Sequence, residues 1–153
     1  MDIEQIIRDN IDRTVHMSLG TTNNGRPWVV EVHFAYDDRL NLYFRSLTSR
    51  RHSQDIAQNA YVAGNIIDKF GVGEMPLGLY FEGTAQLLKP GDEQQKAFEL
   101  LRNRINLTNA DFEDAQREDG KKLYKITVEN WYLFACVNDQ PIQKYKLEWS
   151  ISE

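Results

Sequence analysis

The stretch with the clearest chemical potential is RSLTSRRHSQDI, which begins at position 45 and places cationic side chains at the start of a helical pattern. Arg50, Arg51 and His52 stand where that helix is predicted to begin, although a helix amino terminus already carries partial positive charge and unpaired N–H groups. The same stretch supplies hydroxyl groups just before the cations, from Ser46 and Thr48. Guanidinium groups, hydroxyls and free N–H groups all bind phosphate, so the segment predicts a site for a compact anion.

The overall charge bears on which anion that is. Acidic residues outnumber basic ones by 23 to 18, which gives a net charge of −5. A nucleic-acid-binding protein usually carries a basic face that neutralises several phosphates together, so nucleic acid is not an expected partner. A single phosphate group fits an acidic chain better. The alternative, equally open from the residues alone, is that Arg50 and Arg51 pair with surface acids such as Asp55.

Other reactive side chains give no comparable pattern. His16, His33 and His52 lack the paired spacing of zinc ligands, so no metal site is predicted. Cys136 is the single cysteine and lies in an apolar run, which predicts a core residue and excludes an internal disulfide. The first residues match neither a signal peptide nor a spanning helix, and we expect a cytoplasmic protein without a membrane partner.

The elements that must position these residues follow from hydrophobic periodicity and turn chemistry. Three helices are predicted, over residues 2–13, 49–59 and 92–105, the second with Thr48 or Ser49 as its N-cap. Seven strand-like segments are predicted, over residues 15–22, 27–36, 40–46, 61–68, 79–88, 123–137 and 142–150. Residues 69–78 read as a loop, and residues 106–122 read as loop with some helix.

Local turn signals connect these strands into one sheet. Asn24-Gly25 predicts a tight hairpin, and Gly83 within a strand predicts a bulge or a close backbone approach. Six or seven strands that are mostly joined by hairpins, with helices between them, predict a mainly β fold: a closed or partly closed antiparallel barrel with flanking helices. We expect a single domain over residues 1–153.

The ordered motifs carry a family resemblance. The segment GRPWVVEVHFAYDDRLNLYFRSLTSRRHSQDIAQNAYVAGNII, followed by GLYFEGTAQLL, resembles the core of the pyridoxamine 5'-phosphate oxidase-like, FMN-binding split-barrel family. The resemblance covers residues 13–88 and is weak in the last third of the chain. It implies a six-stranded antiparallel split barrel, a homodimer, and two flavin sites at the subunit interface.

The resemblance also implies which residues hold FMN. Arg51 and His52 fall on the basic pair that binds the flavin phosphate, and Ser46 falls on the hydroxyl residue before it. Thr48 and Arg50 are neighbours of suitable chemistry. The backbone of one strand runs beside the isoalloxazine ring in the family and matches residues Glu31, Val32 and His33.

Departures from the family pattern indicate a different substrate. Basic residues flank this strand in true pyridoxamine phosphate oxidases, whereas Val30 and Ala35 occupy those positions here. Their carboxyl-terminal tryptophan and arginine-histidine motif is also absent. The resemblance therefore implies an FMN-dependent oxidoreductase that acts on an unknown small organic molecule, with no catalytic side chain assigned.

Three alternatives stay open at this stage. One is a non-catalytic flavin- or haem-binding carrier or sensor on the same fold, in which His33 serves as an axial ligand. Another is a reductase that uses the deazaflavin F420. The third is a ligand-free relative in which the basic cluster only forms salt bridges. The three tryptophans, Trp28, Trp131 and Trp149, are predicted to be core residues, with flavin stacking or a dimer interface as the alternative.

Overall fold

The computed structural model describes residues 2–68 and 71–149, and its main feature is a strongly curved antiparallel sheet. The strands are β1 His16–Asn23, β2 Arg26–His33, β3 Ala35–Tyr36, β4 Leu42–Ser46, β5 Tyr61–Ile67, β6 Leu77–Leu87, β7 Lys122–Ala135 and β8 Gln143–Lys146. The helices are α1 Ile3–Ile11, α2 Arg51–Gln58, α3 Asp92–Ile105 and α4 Asn109–Gln116.

The strand order shows that the sheet curls almost into a barrel. The order is β2-β1-β5-β6-β7-β4-β3, and β8 pairs with the carboxyl-terminal end of β7. Strands β2 and β3 lie at opposite ends of this order, yet only Phe34 separates them in the chain. The two ends of the sheet must therefore meet. This confirms the predicted split barrel, while the structure has eight strands where the family pattern implied six.

The hairpin of β1 and β2 follows from its turn. Asn24 and Gly25 both have positive φ, of 52° and 73°, which is the backbone of a two-residue hairpin turn. The turn sets the pairing of every residue behind it, from Asn23 opposite Arg26 to His16 opposite His33. The predicted hairpin is confirmed.

Two apolar clusters hold the sheet in shape. One fills the barrel and includes Leu19, Phe44 and Trp131. The other lies between the outer surface of β4 and β7 and the helix α3, where Phe98 and Leu101 pack against the sheet. Helix α3 therefore covers the part of the sheet next to the gap between β2 and β4. Of the helices that residues 2–68 and 71–149 form, none has the length and apolar content needed to span a membrane.

Gly83 forms the bulge that its place in a strand predicted. The register between β6 and β7 shifts at Glu82 and Gly83, and a Cβ at Gly83 would overlap the carbonyl oxygen of Thr127. We expect Gly83→Ala to reduce the free energy of unfolding by about 1–3 kcal/mol, because the backbone of β7 must move to admit the methyl group. Chemical denaturation measures this, with Thr84→Ala as the control. Equal stability of the two variants would contradict the steric argument.

Three local predictions need correction. The N-cap of α2 is Arg50, which makes no side-chain capping hydrogen bond, whereas Thr48 or Ser49 was predicted. Cys136 is exposed rather than buried, because β7 ends at Ala135 and the next residue enters a turn in which the thiol donates to the carbonyl of Gln140 at 2.9 Å. The predicted loop over 69–78 is too long at its end, because β6 already begins at Leu77; residues 71–76 do form a loop, and the first two predicted positions lie outside the described residues.

Candidate functional site

A cavity of about 530 Å³ lies where the curled sheet fails to close. It is bordered by the edge strand β2, the end of β4, the first turn of α2 and the helix α3. Its lining combines apolar walls with charged groups: Trp28, Val30, Glu31, Val32, His33, Arg45, Ser46, Leu47, Arg50, Arg51, His52, Leu101, Ile105 and Lys121. This volume and mixed lining are typical of a small-molecule or cofactor site.

Strand β2 offers unpaired backbone groups to this cavity. Among the described strands it pairs with β1 alone, so one side of its backbone is open. The residues on either side of a two-residue turn form a hydrogen-bonded pair, here Asn23 and Arg26. At the other end of β2, Phe34 N–H donates to the carbonyl of Val15 at 3.0 Å. The backbone N–H and C=O groups of the even-numbered residues of β2 therefore face β1. The N–H and C=O groups of Glu31 and His33 therefore face the gap. They can bind the polar edge of a planar ligand.

The N-cap and the first residue of α2 carry two guanidinium groups at one end of the cavity. Arg50 is exposed and forms no ion pair with a carboxylate in residues 2–68 or 71–149. Arg51 lies over the ring of Trp28, with 4.2 Å from its Cζ atom to the ring centroid. Its Nε atom is 4.0 Å from Oδ2 of Asp55. The suggested Asp55 pair thus exists for Arg51, at a distance longer than a hydrogen bond.

His52 lines the cavity but is largely buried beneath α2. Its relative exposure is 6%, its ring lies 6.3 Å from the Phe44 ring, and its Nε2 atom makes no hydrogen bond with the described residues. Burial lowers the pKa of His52 below its ordinary value, and the nearby Arg50 lowers it further. The side chain is therefore neutral at pH 7 and adds no cation to the site.

The buried His52 should make stability depend on pH. Its folded-state pKa lies below the unfolded value near 6.5, so the unfolded chain binds the proton more readily. The contribution is fully present above pH 6.5 and is lost as the pH falls through the folded-state pKa. We expect the melting temperature of His52→Gln to fall less than that of the parent between pH 7 and pH 5. Parallel curves for the two proteins would contradict a buried, neutral imidazole.

His33 stands at the other end of the open edge, paired with His16. The two residues are directly opposite each other on β2 and β1, and their ring centroids are 4.8 Å apart. Burial lowers the pKa of His33, followed by the positive charges of His16, Arg45 and Lys121. Its imidazole is therefore neutral near pH 7 and keeps a nitrogen lone pair that can accept a hydrogen bond.

Seven of the eight residues predicted as binding residues line the cavity: Glu31, Val32, His33, Ser46, Arg50, Arg51 and His52. The eighth, Thr48, lines a separate cavity of about 230 Å³ with Ser53 and Tyr124. The reason is the turn after β4, in which Arg50 N–H donates to the carbonyl of Leu47. Side chains along a turn point in different directions, so spacing alone did not indicate where Thr48 would lie.

Several lining residues were not predicted. Arg45 is the first residue of the basic segment and forms an ion pair of 3.3 Å with Asp111. Lys121 lies just before β7, and Leu101 and Ile105 belong to α3. The position of Arg45 within the basic segment could have indicated that it lines the cavity. Lys121 carries no such signal, because only the pairing of β4 with β7 brings it to the site.

Comparisons with known proteins agree with this architecture. HutZ, the haem storage protein of Vibrio cholerae, is 18% identical with a TM-score of 0.70, and the match covers 88% of this chain and 95% of HutZ. ChuZ of Campylobacter jejuni is 13% identical with a TM-score of 0.76 over 95% of this chain and 59% of ChuZ. A haem-binding protein of Mycobacterium smegmatis is 14% identical with a TM-score of 0.68 over 89% of this chain and 56% of that one.

The sequence comparison with families is more specific. No curated protein matches the chain. The sequence model of the pyridoxamine 5'-phosphate oxidase family, however, matches residues 3–135. This range includes every strand of the curled sheet except β8. The chain therefore belongs to the pyridoxamine 5'-phosphate oxidase family.

Proposed function

We propose that this protein binds FMN in the cavity between β2 and α2 and acts as an FMN-dependent oxidoreductase on a small organic molecule. The observation that carries the proposal is the pairing, in one cavity, of an unpaired strand edge with a helix start that presents Arg50 and Arg51. The strand edge can bind the polar edge of a planar ring, and the helix start can bind a phosphate dianion.

The residues present fit the parts of FMN. Glu31 and His33 supply backbone donors and acceptors along the open edge, and Val30 and Val32 supply an apolar surface beside it. The first turn of α2 has no side-chain cap, so its N–H groups remain available for an anion. A flavin held there would supply hydride or electron transfer, while the protein binds and orients it.

The test is the identity of any bound cofactor and its effect on stability. The protein is purified and denatured, and the released chromophore is compared with FMN, FAD and F420 standards. Because a ligand that binds only the folded state raises the melting temperature, added FMN should stabilise the apoprotein in proportion to its concentration. A colourless protein with an unchanged melting temperature at saturating FMN would refute the proposal. Oxidation of reduced nicotinamides in the presence of a dye separates enzyme from carrier.

Haem binding is the second candidate function. It is favoured by the structural similarity to haem-binding and haem-storage proteins and by the neutral imidazole of His33 at the cavity. A haem titration followed by absorption would show an iron-ligated species in the parent and not in His33→Ala. Haem binding that persists unchanged in this variant would exclude His33 as the ligand.

We also propose a homodimer, on the basis of a second groove of about 410 Å³ on the outer sheet surface. Trp28, Val29 and Tyr61 line it, with relative exposures of 41%, 65% and 65%. Aromatic side chains are enriched at protein–protein interfaces. We expect Val29→Glu with Tyr61→Glu to convert the dimer to a monomer in light scattering, whereas Val72→Glu, in the exposed loop, should not. A parent protein that is already monomeric would refute the dimer.

A further inference from the structure

We propose that Thr21, Asp55 and Trp28 position the Arg51 guanidinium, and that this arrangement makes the cavity select phosphorylated over unphosphorylated ligands. The inference rests on the proposed function, since it assigns the origin of phosphate affinity within the same cavity. None of the three residues is required by the chemistry of the flavin. Each is assigned from its contacts with Arg51 or with the partner of Arg51.

Two contacts hold the Arg51 side chain from different directions. Asp55 lies four residues later on α2, on the same helix face, with its Oδ2 atom 4.0 Å from Nε of Arg51. The guanidinium lies over the Trp28 ring, at 4.2 Å from Cζ to the ring centroid. The first contact keeps the Nε edge of the guanidinium toward the helix, and the second holds its Cζ atom over the indole.

Both contacts depend on a single pair of residues in the β1–β2 hairpin. Thr21 and Trp28 are directly opposite each other in the register. The Thr21 hydroxyl donates to Oδ2 of Asp55 at 2.9 Å, and Thr21 and Asp55 are 3% and 6% exposed. One cross-strand pair therefore fixes both the carboxylate and the ring that hold Arg51. Because Thr21 and Asp55 are buried, this support stays rigid while Arg51 itself remains about half exposed.

The arrangement leaves the ligand-binding part of Arg51 available. Its Nε side faces Asp55, and no ion pair joins its Nη1 or Nη2 atoms to a carboxylate within residues 2–68 and 71–149. These two nitrogens can bind a phosphate in a bidentate manner. A guanidinium already fixed in orientation loses less side-chain entropy on binding, so positioning raises affinity for the phosphate alone.

Removing the charge of Asp55 distinguishes positioning from simple electrostatics. In Asp55→Asn the amide oxygen can still accept from Thr21, while the anchor for Arg51 is lost. Electrostatics alone predicts tighter FMN binding, because a negative charge near the phosphate has gone. Positioning predicts weaker binding, by about fivefold in Kd. The two explanations thus differ in the sign of the effect.

The experiment measures dissociation constants for FMN and riboflavin, which share the ring and differ in the phosphate. We expect Asp55→Asn and Thr21→Val to weaken FMN about fivefold and to leave riboflavin unchanged. Thr21→Ser keeps the hydroxyl and should restore parental FMN affinity. Melting temperatures, recorded in parallel, show whether each variant is folded at the temperature of the titration.

The outcomes separate this inference from the proposed function. Unchanged or tighter FMN binding in Asp55→Asn, in a protein whose Arg51→Ala variant binds FMN poorly, would overturn the positioning role and leave the FMN site intact. Equal losses for FMN and riboflavin would also overturn it, since they indicate a general distortion of the cavity. If Arg51→Ala binds FMN as the parent does, both the phosphate site and the positioning role are refuted.

Discussion

Arg51→Ala is expected to weaken FMN binding by about 10- to 150-fold, the equivalent of about 1.5–3 kcal/mol for a lost charge-assisted hydrogen bond. Arg51 lines the cavity at the first turn of α2, and its terminal nitrogens are free to meet the phosphate. The loss should appear in isothermal titration of the apoprotein with FMN. It should be much smaller for riboflavin, because that ligand has no phosphate.

The matched control is Arg13→Ala. Arg13 is exposed and does not line the cavity, so its replacement changes the net charge equally without touching the site. FMN affinity should then stay within about twofold of the parent, since long-range charge effects at the surface are screened by salt. Equal losses in the two variants would mean that Arg51 acts through net charge alone. No loss in either would place the phosphate elsewhere.

Trp131→Ala is expected to have the largest effect on stability, at about 3–5 kcal/mol of the free energy of unfolding. Trp131 is completely buried in the barrel core, and its ring packs against Phe81 with 5.6 Å between centroids. Its indole N–H donates to the carbonyl of Leu40 at 3.1 Å. Small proteins are stable by only about 5–15 kcal/mol, so this loss is a large share of the total and should lower the melting temperature strongly.

Two further substitutions separate packing from hydrogen bonding. Trp131→Phe removes the donor to Leu40 but retains an aromatic ring. Because the ring still fills part of the core, this variant should be destabilised less than Trp131→Ala. Trp149→Ala removes an exposed tryptophan and should change the free energy of unfolding by less than about 0.5 kcal/mol. Thermal and chemical denaturation measure all three. A Trp131→Ala protein as stable as Trp149→Ala would contradict the assignment of Trp131 to the core.

Local sequence signals were reliable where several of them agreed on the same element. The helix α3 begins and ends at the predicted residues, Asp92 and Ile105, because its periodicity, acidic first turn and basic last turn agree. The Asn24-Gly25 turn determines the whole β1–β2 register. That register also places His16 opposite His33.

Burial was less predictable because it depends on what other elements cover. The imidazole of His52 is a side chain that can bind phosphate, yet the packing of α2 on the barrel buries its ring. Cys136 follows an apolar strand, yet it is exposed because the strand stops one residue earlier. Trp28 was predicted as core, and it instead lies at the cavity under Arg51. In each case the sequence indicated the residue's type and the neighbouring elements decided its surroundings.

By itself the sequence determined the strands, the hairpin turns, the family and the segment that carries Arg50 and Arg51, because these follow from local periodicity, turn chemistry and ordered motifs. Only the tertiary structure decided which distant groups share the cavity with that segment. Lys121, Leu101 and the Thr21–Asp55 contact reach the site through strand pairing and helix packing. These contacts join residues far apart in the chain, so no local pattern encodes them, and they arise only when the sheet curls and α2 and α3 pack against it.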